Sequence, residues 1–405
     1  MGWLSGWDKR VKLTIDQTDI DAALSNFPIL VYLSTASGRN DDDVSFVFDE
    51  LQSDANRLKI AVTESDGTTQ CYVEIEQWDD ANEKAWLWVK VSSIAADVDT
   101  DLYLYYDKDH ADNTDYVGDI ESIPGKAVWD DNFLRVYHLR DKTTSTVADS
   151  KNNQTGNKTS ANNPLESSEG IAASQTADNA DWIKAPTISY DPTLDYTIEM
   201  RIKTSTTASS KAAFSEGDNS NNYYELGFMF NMNGFVANKM GFGMEYNWGT
   251  WYHADSTTSV NDNAWHHIVG TYKGSTSPYP MKIYVDGTAE GTTEYGQRNT
   301  ATTGNRQLGF LTYTRNNGSI HILDTGLLDE VRISNVIRSN SWIKATHETE
   351  RDDLLDWGSE ETQVAPPEGQ PYISRVQQIS GMQTFNPIHA IKPLIRRMPW
   401  PQVFP

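Results

Sequence analysis

The sequence predicts an all-β protein: two tandem β-sandwich or jelly-roll domains followed by a proline-rich extended C-terminal arm. Three observations carry that prediction. The residues between apolar positions are mostly Thr, Ser, Asn and Gly, which favours strands and turns over helices, while charged residues make up only 22% of the chain. Short runs alternate apolar and polar side chains with the period of two that a strand imposes. Eight of the 15 prolines fall in residues 366–405, a stretch unable to build a core of its own. At 405 residues the chain exceeds one ordinary domain.

Residues 1–118 form the first module. KAWLWVKV sets Trp86 and Trp88 opposite Leu87, Val89 and Val91, so the strand is expected to be buried on both sides or to pack its sheet against a neighbour. DLYLYYD sets Leu102 and Leu104 opposite Tyr103 and Tyr105, and SDGT at 65–68 makes a hairpin-type turn. Residues 119–128 carry a Pro-Gly step with few periodic signals and read as a linker.

The second module spans 129–361. In YTIEMRI, Tyr196, Ile198, Met200 and Ile202 point one way and Thr197, Glu199 and Arg201 the other. WHHIVGTY, MKIYVDGT, RQLGFLTY and LLDEVRIS repeat the pattern, and only SNSWIKATHETE, residues 339–350, looks helical. Many short strands at this spacing imply a sandwich or jelly roll. Residues 362–405 form the arm.

The net charge of -24 opposes binding of nucleic acid or an anionic membrane through the body of the protein. The single cysteine, Cys71, excludes an intrachain disulfide. The opening MGWLSGWDKRVKLTI lacks the apolar core and cleavage site of a secretory signal. No run approaches the roughly 18 apolar residues of a membrane-spanning helix. The expectation is a soluble chain beginning at its own Met1.

WDKRVKLTI, SNFPILVYL, LKIAVTESDGTTQCYVEIEQWD, WLWVKVSSI and DTDLYLYYDK follow one another over residues 3–118. In this order they resemble a family of unknown function found just ahead of lectin-like domains in prokaryotic and viral surface proteins. VYHLRD, VADSKNNQTGN, DYTIEMRIKT, AWHHIVGTYKG, MKIYVDGT and LLDEVRISNVIRS are similar, also in order, to blocks of the laminin G-like, concanavalin A-like jelly rolls. The second resemblance implies a calcium ion near an edge of the sandwich, with Asp149, Asp329 and Glu330 at the acidic motif positions. Calcium takes oxygen ligands. The alternative is that Asp149 makes an Asx-turn and Asp329 or Glu330 pairs with Arg332 or a loop amide.

NWGTWYHADS supplies Trp248, Trp251, Tyr252 and His253, whose aromatic faces suit stacking on sugar rings beside polar groups that bond the hydroxyls. The competing reading turns these aromatics inward to cap the core. Catalysis is not expected. Glycoside hydrolysis needs two carboxylates about 5 to 10 Å apart, and the closely spaced acidic motif of catalytic jelly rolls is missing. His266 and His267 face opposite ways on one strand and cannot share a metal. His347 and Glu350 lack a second histidine at metalloprotease spacing. Cys71 reads as a small buried hydrophobe.

In the arm, Ile388, Ile391, Leu394, Ile395, Met398, Trp400 and Phe404 offer apolar anchors, with Lys392, Arg396 and Arg397 available to acidic patches on a partner. Prolines lower the entropy lost on docking, which suits an extended arm laid along another subunit. The expectation is a non-enzymatic structural protein of a virion surface, a head-decoration or vertex component, attached to other virion proteins by the arm and offering lectin-like domains to host glycans. A free carbohydrate-binding adhesin at a cell surface is the alternative, a tail fibre the second. A homo-oligomer is compatible with each.

Overall fold

In the computed structural model the described residues are 2–363, apart from 179, 192, 219–225, 232–233, 248–249, 296–303 and 316–317. Two sandwiches, antiparallel among the named strands except for the parallel pair Val73–Asp79 and Val117–Asp119, stack on one another and form one unit, Met1–Gln363.

In the first sandwich, Lys9–Ile15 lies between Thr100–Tyr106 and Leu355–Thr362 in a five-stranded sheet. Alternation sends Val11, Leu13, Ile15, Leu102 and Leu104 into the core. On the opposite face Arg10 lies over the rings of Trp3 and Tyr103 at 4.3 and 4.1 Å. The facing sheet has four strands, Leu24–Leu33, Lys84–Ile94, Val73–Asp79 and Val117–Asp119.

KAWLWVKV is buried on both sides, and what covers its second face is the other module. Trp88 packs against Trp129 and His138, and Phe27 meets Trp342 edge-on at 4.7 Å. The second sandwich pairs a nine-stranded with an eight-stranded sheet. Ile198, Met200 and Ile202 enter its core, while Thr197, Glu199 and Arg201 face outward toward the first module. The helix Asn340–Glu350 lies between the modules. Ser339 caps it by accepting from Trp342 N, Ile343 packs on Val269 and Tyr284, and Thr349 Oγ1 accepts from Leu30 N at 2.8 Å.

Two expected boundaries differ from the structure. Residues 119–128 hold the helix Ile123–Val128, capped by Ser122, with Pro124 in its first turn where a missing N–H costs nothing. Leu355–Thr362 pairs antiparallel with Lys9–Ile15, from Ile15 opposite Leu355 to Lys9 opposite Thr362. Thus the segment expected to end the second module forms an edge strand of the first. Among the described residues no helix is long and apolar enough to cross a membrane.

Candidate functional site

Strand Asp195–Lys203 pairs with Trp265–Lys273 on one side and Gly326–Ser334 on the other. That register sets Arg201 opposite His267 and Asp329, and Lys203 opposite Trp265. The period of two then gathers Arg201, Trp265 and His267 on the sheet's outer face. The turn after Tyr279–Val285 adds Asp286, and the end of the helix adds His347 and Arg351. These six residues line a cavity of about 390 Å³.

The Arg201 guanidinium lies 5.2 Å from the centre of the Trp265 ring. It approaches Glu350 and Asp329 at 3.8 and 3.9 Å, but among the described residues its side chain makes no hydrogen bond. His267 is 2% exposed, and both its ring nitrogens lack a hydrogen-bond partner. Its Nε2 stands 3.8 Å from Glu199 Oε2, an acceptor equally unsatisfied, as is Glu350 Oε2. The ring of His347 lies parallel to that of His267 with centres 6.1 Å apart. Burial, reinforced by repulsion from His267, lowers the His347 pKa to about 4, so this ring is neutral at pH 7. Asp286 is fixed by accepting from His267 N at 2.9 Å and by pairing with His266 Nδ1 at 2.8 Å. Burial opposes its charge, but His266 outweighs that and its pKa is lowered. An indole platform beside donors and acceptors with unused capacity, around a chamber of this size, suits a ligand whose hydroxyls both donate and accept.

A larger cavity of about 460 Å³ lies where Asp54, Arg57, Trp78, Asp119, Glu121, Arg140 and Lys142 meet. Most of its charges are already used. Arg57 grips Asp119 through two bonds of 2.8 and 2.6 Å, Lys142 pairs with Glu121 at 2.6 Å, and Arg140 Nη1 donates to the Glu76 carbonyl at 2.6 Å. The larger cavity's lining residues also keep partnerless atoms, Glu76 Oε1, Trp78 Nε1 and Arg140 Nε, whereas the smaller cavity is lined by an imidazole, His267, with neither ring nitrogen bonded.

The aromatic residues singled out from the sequence have other neighbours. Trp251 and His253 lie on the outer face of the nine-stranded sheet's edge strand, Thr250–Ser259. His253 stacks on Phe235 at 3.9 Å, while Trp251 meets Phe235 at 5.7 Å and Tyr313 at 5.8 Å. Phe235 lies flat because Gly241 is beneath it; a Cβ there would stand 2.0 Å from the ring. Tyr252 packs against the core of the sandwich. Trp248 and the arm residues expected to anchor, from Ile388 to Phe404, lie outside the described residues.

Nor does the structure assemble Asp149, Asp329 and Glu330. Asp149 is buried and accepts from the amides of Val136, Lys151, Asn152 and Gln154 at 3.0–3.2 Å, the Asx-turn alternative. Burial raises its pKa against those bonds. Asp329 accepts from Ile171 N at 2.8 Å and Glu330 N at 2.9 Å. Gly170 permits the first contact, since its φ is +104° and a Cβ would stand 2.5 Å from Asp329 Oδ2. Burial and the neighbouring Glu330 push Asp329 well above the usual carboxylate range. Glu330 instead joins Glu76 and His138 between the modules, with His138 Nδ1 2.8 Å from Glu330 Oε1.

Sequence reasoning passed over the cavity residues. It placed His266 and His267 on opposite faces, as the structure does, yet tested them only as a shared metal site. It tested His347 only against a metalloprotease pattern. The available signal was the outward trio Thr197, Glu199 and Arg201, polar on a strand whose other face is core.

Residues 177–344 match the family described as the concanavalin A-like lectin/glucanases superfamily. Residues 56–132 match a domain of unknown function, DUF2341. This is the module order expected from the sequence. No curated protein matches the chain. Among solved structures it is similar to domain 4 of AbnA, a GH43 extracellular arabinanase from Geobacillus stearothermophilus, in complex with arabinotriose. That domain is 14% identical with a TM-score of 0.42, over 53% of this chain and 98% of the other. The binding domain of Paraclostridial Mosquitocidal Protein 1 is 13% identical with a TM-score of 0.40, over 54% of this chain and 52% of the other. The receptor-binding domain of botulinum neurotoxin type G is 11% identical with a TM-score of 0.39, over 54% and 51%. In both toxin cases the match spans about half of the other chain.

Proposed function

We propose that this tandem of a DUF2341 module and a concanavalin A-like lectin module is a non-catalytic carbohydrate-binding protein, and that the Trp265 cavity takes the sugar. One observation carries the reading: Arg201 and His267 border a chamber of about 390 Å³ with their side-chain hydrogen-bonding capacity unspent, beside an indole ring. A sugar ring stacked on Trp265 would supply hydroxyls to Arg201, His267 and Asp286 together. A glycan array probed with the full chain and with Trp265→Ala and Arg201→Ala tests it. Binding of a defined glycan class by the wild type, lost in both variants, is expected. Silence across the array, or binding unchanged in both variants, refutes the site.

The place of action we propose is a virion surface, with residues 364–405 as the attachment. Support comes from the order of the modules and from an arm that is basic and apolar on an acidic body. Deleting residues 364–405 and measuring incorporation into particles decides the matter. Normal incorporation of the truncated chain refutes the anchor while leaving the glycan site standing.

A further inference from the structure

Between the modules, three ligating side chains converge from separate strands and loops. Glu76 lies on Val73–Asp79 of the first module, His138 directly follows Phe133–Tyr137, and Glu330 lies on Gly326–Ser334. One ligand atom from each lies within 4.8 Å of the others. All are buried, at 3%, 2% and 0% exposure. Each is also held from behind, the arrangement that orients metal ligands. His138 Nε2 faces Glu74 Oε2 at 3.4 Å, Glu76 Oε2 accepts from Trp88 Nε1 at 2.8 Å, and Glu330 Oε2 pairs with Arg332. Glu76 Oε1 and Glu74 Oε1 are buried with no hydrogen-bond partner.

The charge balance points the same way. Glu74, Glu76, Glu199, Asp329, Glu330 and Glu350 are buried in this layer, and the cations that act on them include Arg332, His138, Arg338, Arg140 and the half-buried Arg201. Buried carboxylates take up protons, as Asp329 does, or are joined by something positive, and a divalent cation is compatible with a layer this rich in them.

We propose that Glu76, His138 and Glu330 form a binding site for a first-row divalent metal ion, zinc in preference to calcium, that staples the first module to the second. Calcium is served by oxygen ligands alone, whereas one imidazole with two carboxylates is a zinc-type donor set. On binding, the proton shared between His138 Nδ1 and Glu330 leaves to solvent and the ring nitrogen takes the metal as a neutral ligand.

The test uses the full chain, stripped with a chelator and titrated separately with Zn²⁺, Mn²⁺ and Ca²⁺ by calorimetry and thermal denaturation, with metal content read by mass spectrometry. One Zn²⁺ or Mn²⁺ per chain is expected, raising the melting temperature. Glu76→Gln, which keeps an oxygen for Trp88, should weaken that binding at least tenfold. Because His138→Gln risks misfolding, Glu76→Gln decides, and its metal-free melting temperature, at or above wild type, shows that it is folded. Absence of stoichiometric binding, binding of Ca²⁺ alone, or binding undiminished in Glu76→Gln overturns the proposal. The glycan variant Trp265→Ala leaves Glu76, His138, Glu330 and the charges around them in place, so either reading can fail without the other.

Discussion

Arg332→Met is the substitution that weighs most heavily on the junction. Arg332 is 2% exposed; its Nη1 donates to Glu350 Oε1 at 2.7 Å and to Glu199 Oε1 at 3.4 Å, and its Nη2 pairs with Glu330. The guanidinium also lies 4.5 Å from the centre of the Trp88 ring. Methionine fills much of the same volume but takes the guanidinium away from three buried carboxylates. Breaking one buried pair costs about 3–5 kcal/mol, and a desolvated cation–π contact adds about 2 kcal/mol. Proton uptake by the stranded carboxylates offsets part of that loss, so the expected cost is about 4 kcal/mol at pH 7.5. At about 2 °C per kcal/mol for a chain this large, the melting temperature should fall by about 8 °C. The assay is thermal unfolding of chelator-treated protein followed by tryptophan fluorescence, since Trp88 and Trp129 sit at the lesion. The deficit should shrink from pH 8 to pH 5, because the unpaired carboxylates become neutral. Adding Glu330→Gln and Glu350→Gln to Arg332→Met should recover at least half of it. A single variant within about 1 kcal/mol of wild type, or a triple variant no better than the single, would refute the claim that stranded charge is the cause.

Further outcomes follow from other sites. Burial pushes the Cys71 thiol pKa far up, with Glu64 adding to the effect, so a thiol reagent at pH 8 should label the native chain negligibly and the urea-unfolded chain fully. Burial raises Asp352 to about 7 despite its bond from Gly38 N. A raised folded value means its stabilising contribution is complete below pH about 4 and is lost as pH rises through about 7. Asp352→Asn should therefore be near neutral at pH 4 and stabilising by about 4 kcal/mol at pH 8, read from urea midpoints. A chain ending at Gln363 should melt with the full-length protein. One ending at Asp353 loses Leu355–Thr362, bares Lys9–Ile15 as an edge, and should aggregate or melt at least several degrees lower by scanning calorimetry.

What was legible in the sequence was local. Alternation in YTIEMRI assigned Ile198, Met200 and Ile202 to the core, and the helical look of SNSWIKATHETE marked Asn340–Glu350. Period two separates the faces of a strand without saying what covers them. Glu199 and Arg332 look like solvent-facing residues, yet both are buried because the first module and the helix Asn340–Glu350 cover that face. The Pro-Gly step at 124–125 reads as a breaker, but proline in a first turn starts a helix as well as it stops one. LDWGSEET is too polar to announce a strand, since an edge strand buries little of its surface. In the candidate cavity, Arg201, Trp265, Asp286 and His347 are brought together by pairing across distant segments, and spacing within any one segment carries no trace of that.

The junction combines two kinds of contact with different consequences. Trp129, Phe133 and Trp342 of the second module share one apolar cluster with Phe27, Leu30 and Trp88 of the first, and such burial supplies attraction with little sense of direction. A flat apolar contact between a sheet and a neighbour tolerates sliding. The bonds from Trp129 Nε1 to Glu74 at 2.6 Å, from His138 Nε2 to Glu74 at 3.4 Å, from Arg140 Nη1 to the Glu76 carbonyl at 2.6 Å and from Leu30 N to Thr349 Oγ1 at 2.8 Å cross between the modules and are directional, and each is left unsatisfied if the modules shift by a residue. Leu355–Thr362 adds a covalent constraint, because the chain must return from the helix at a fixed place to complete the first sheet. The charged layer is therefore better understood as fixing how the two modules meet than as a source of net stability, and a variant that made it wholly apolar would be expected to stay folded while losing the single arrangement of one module on the other.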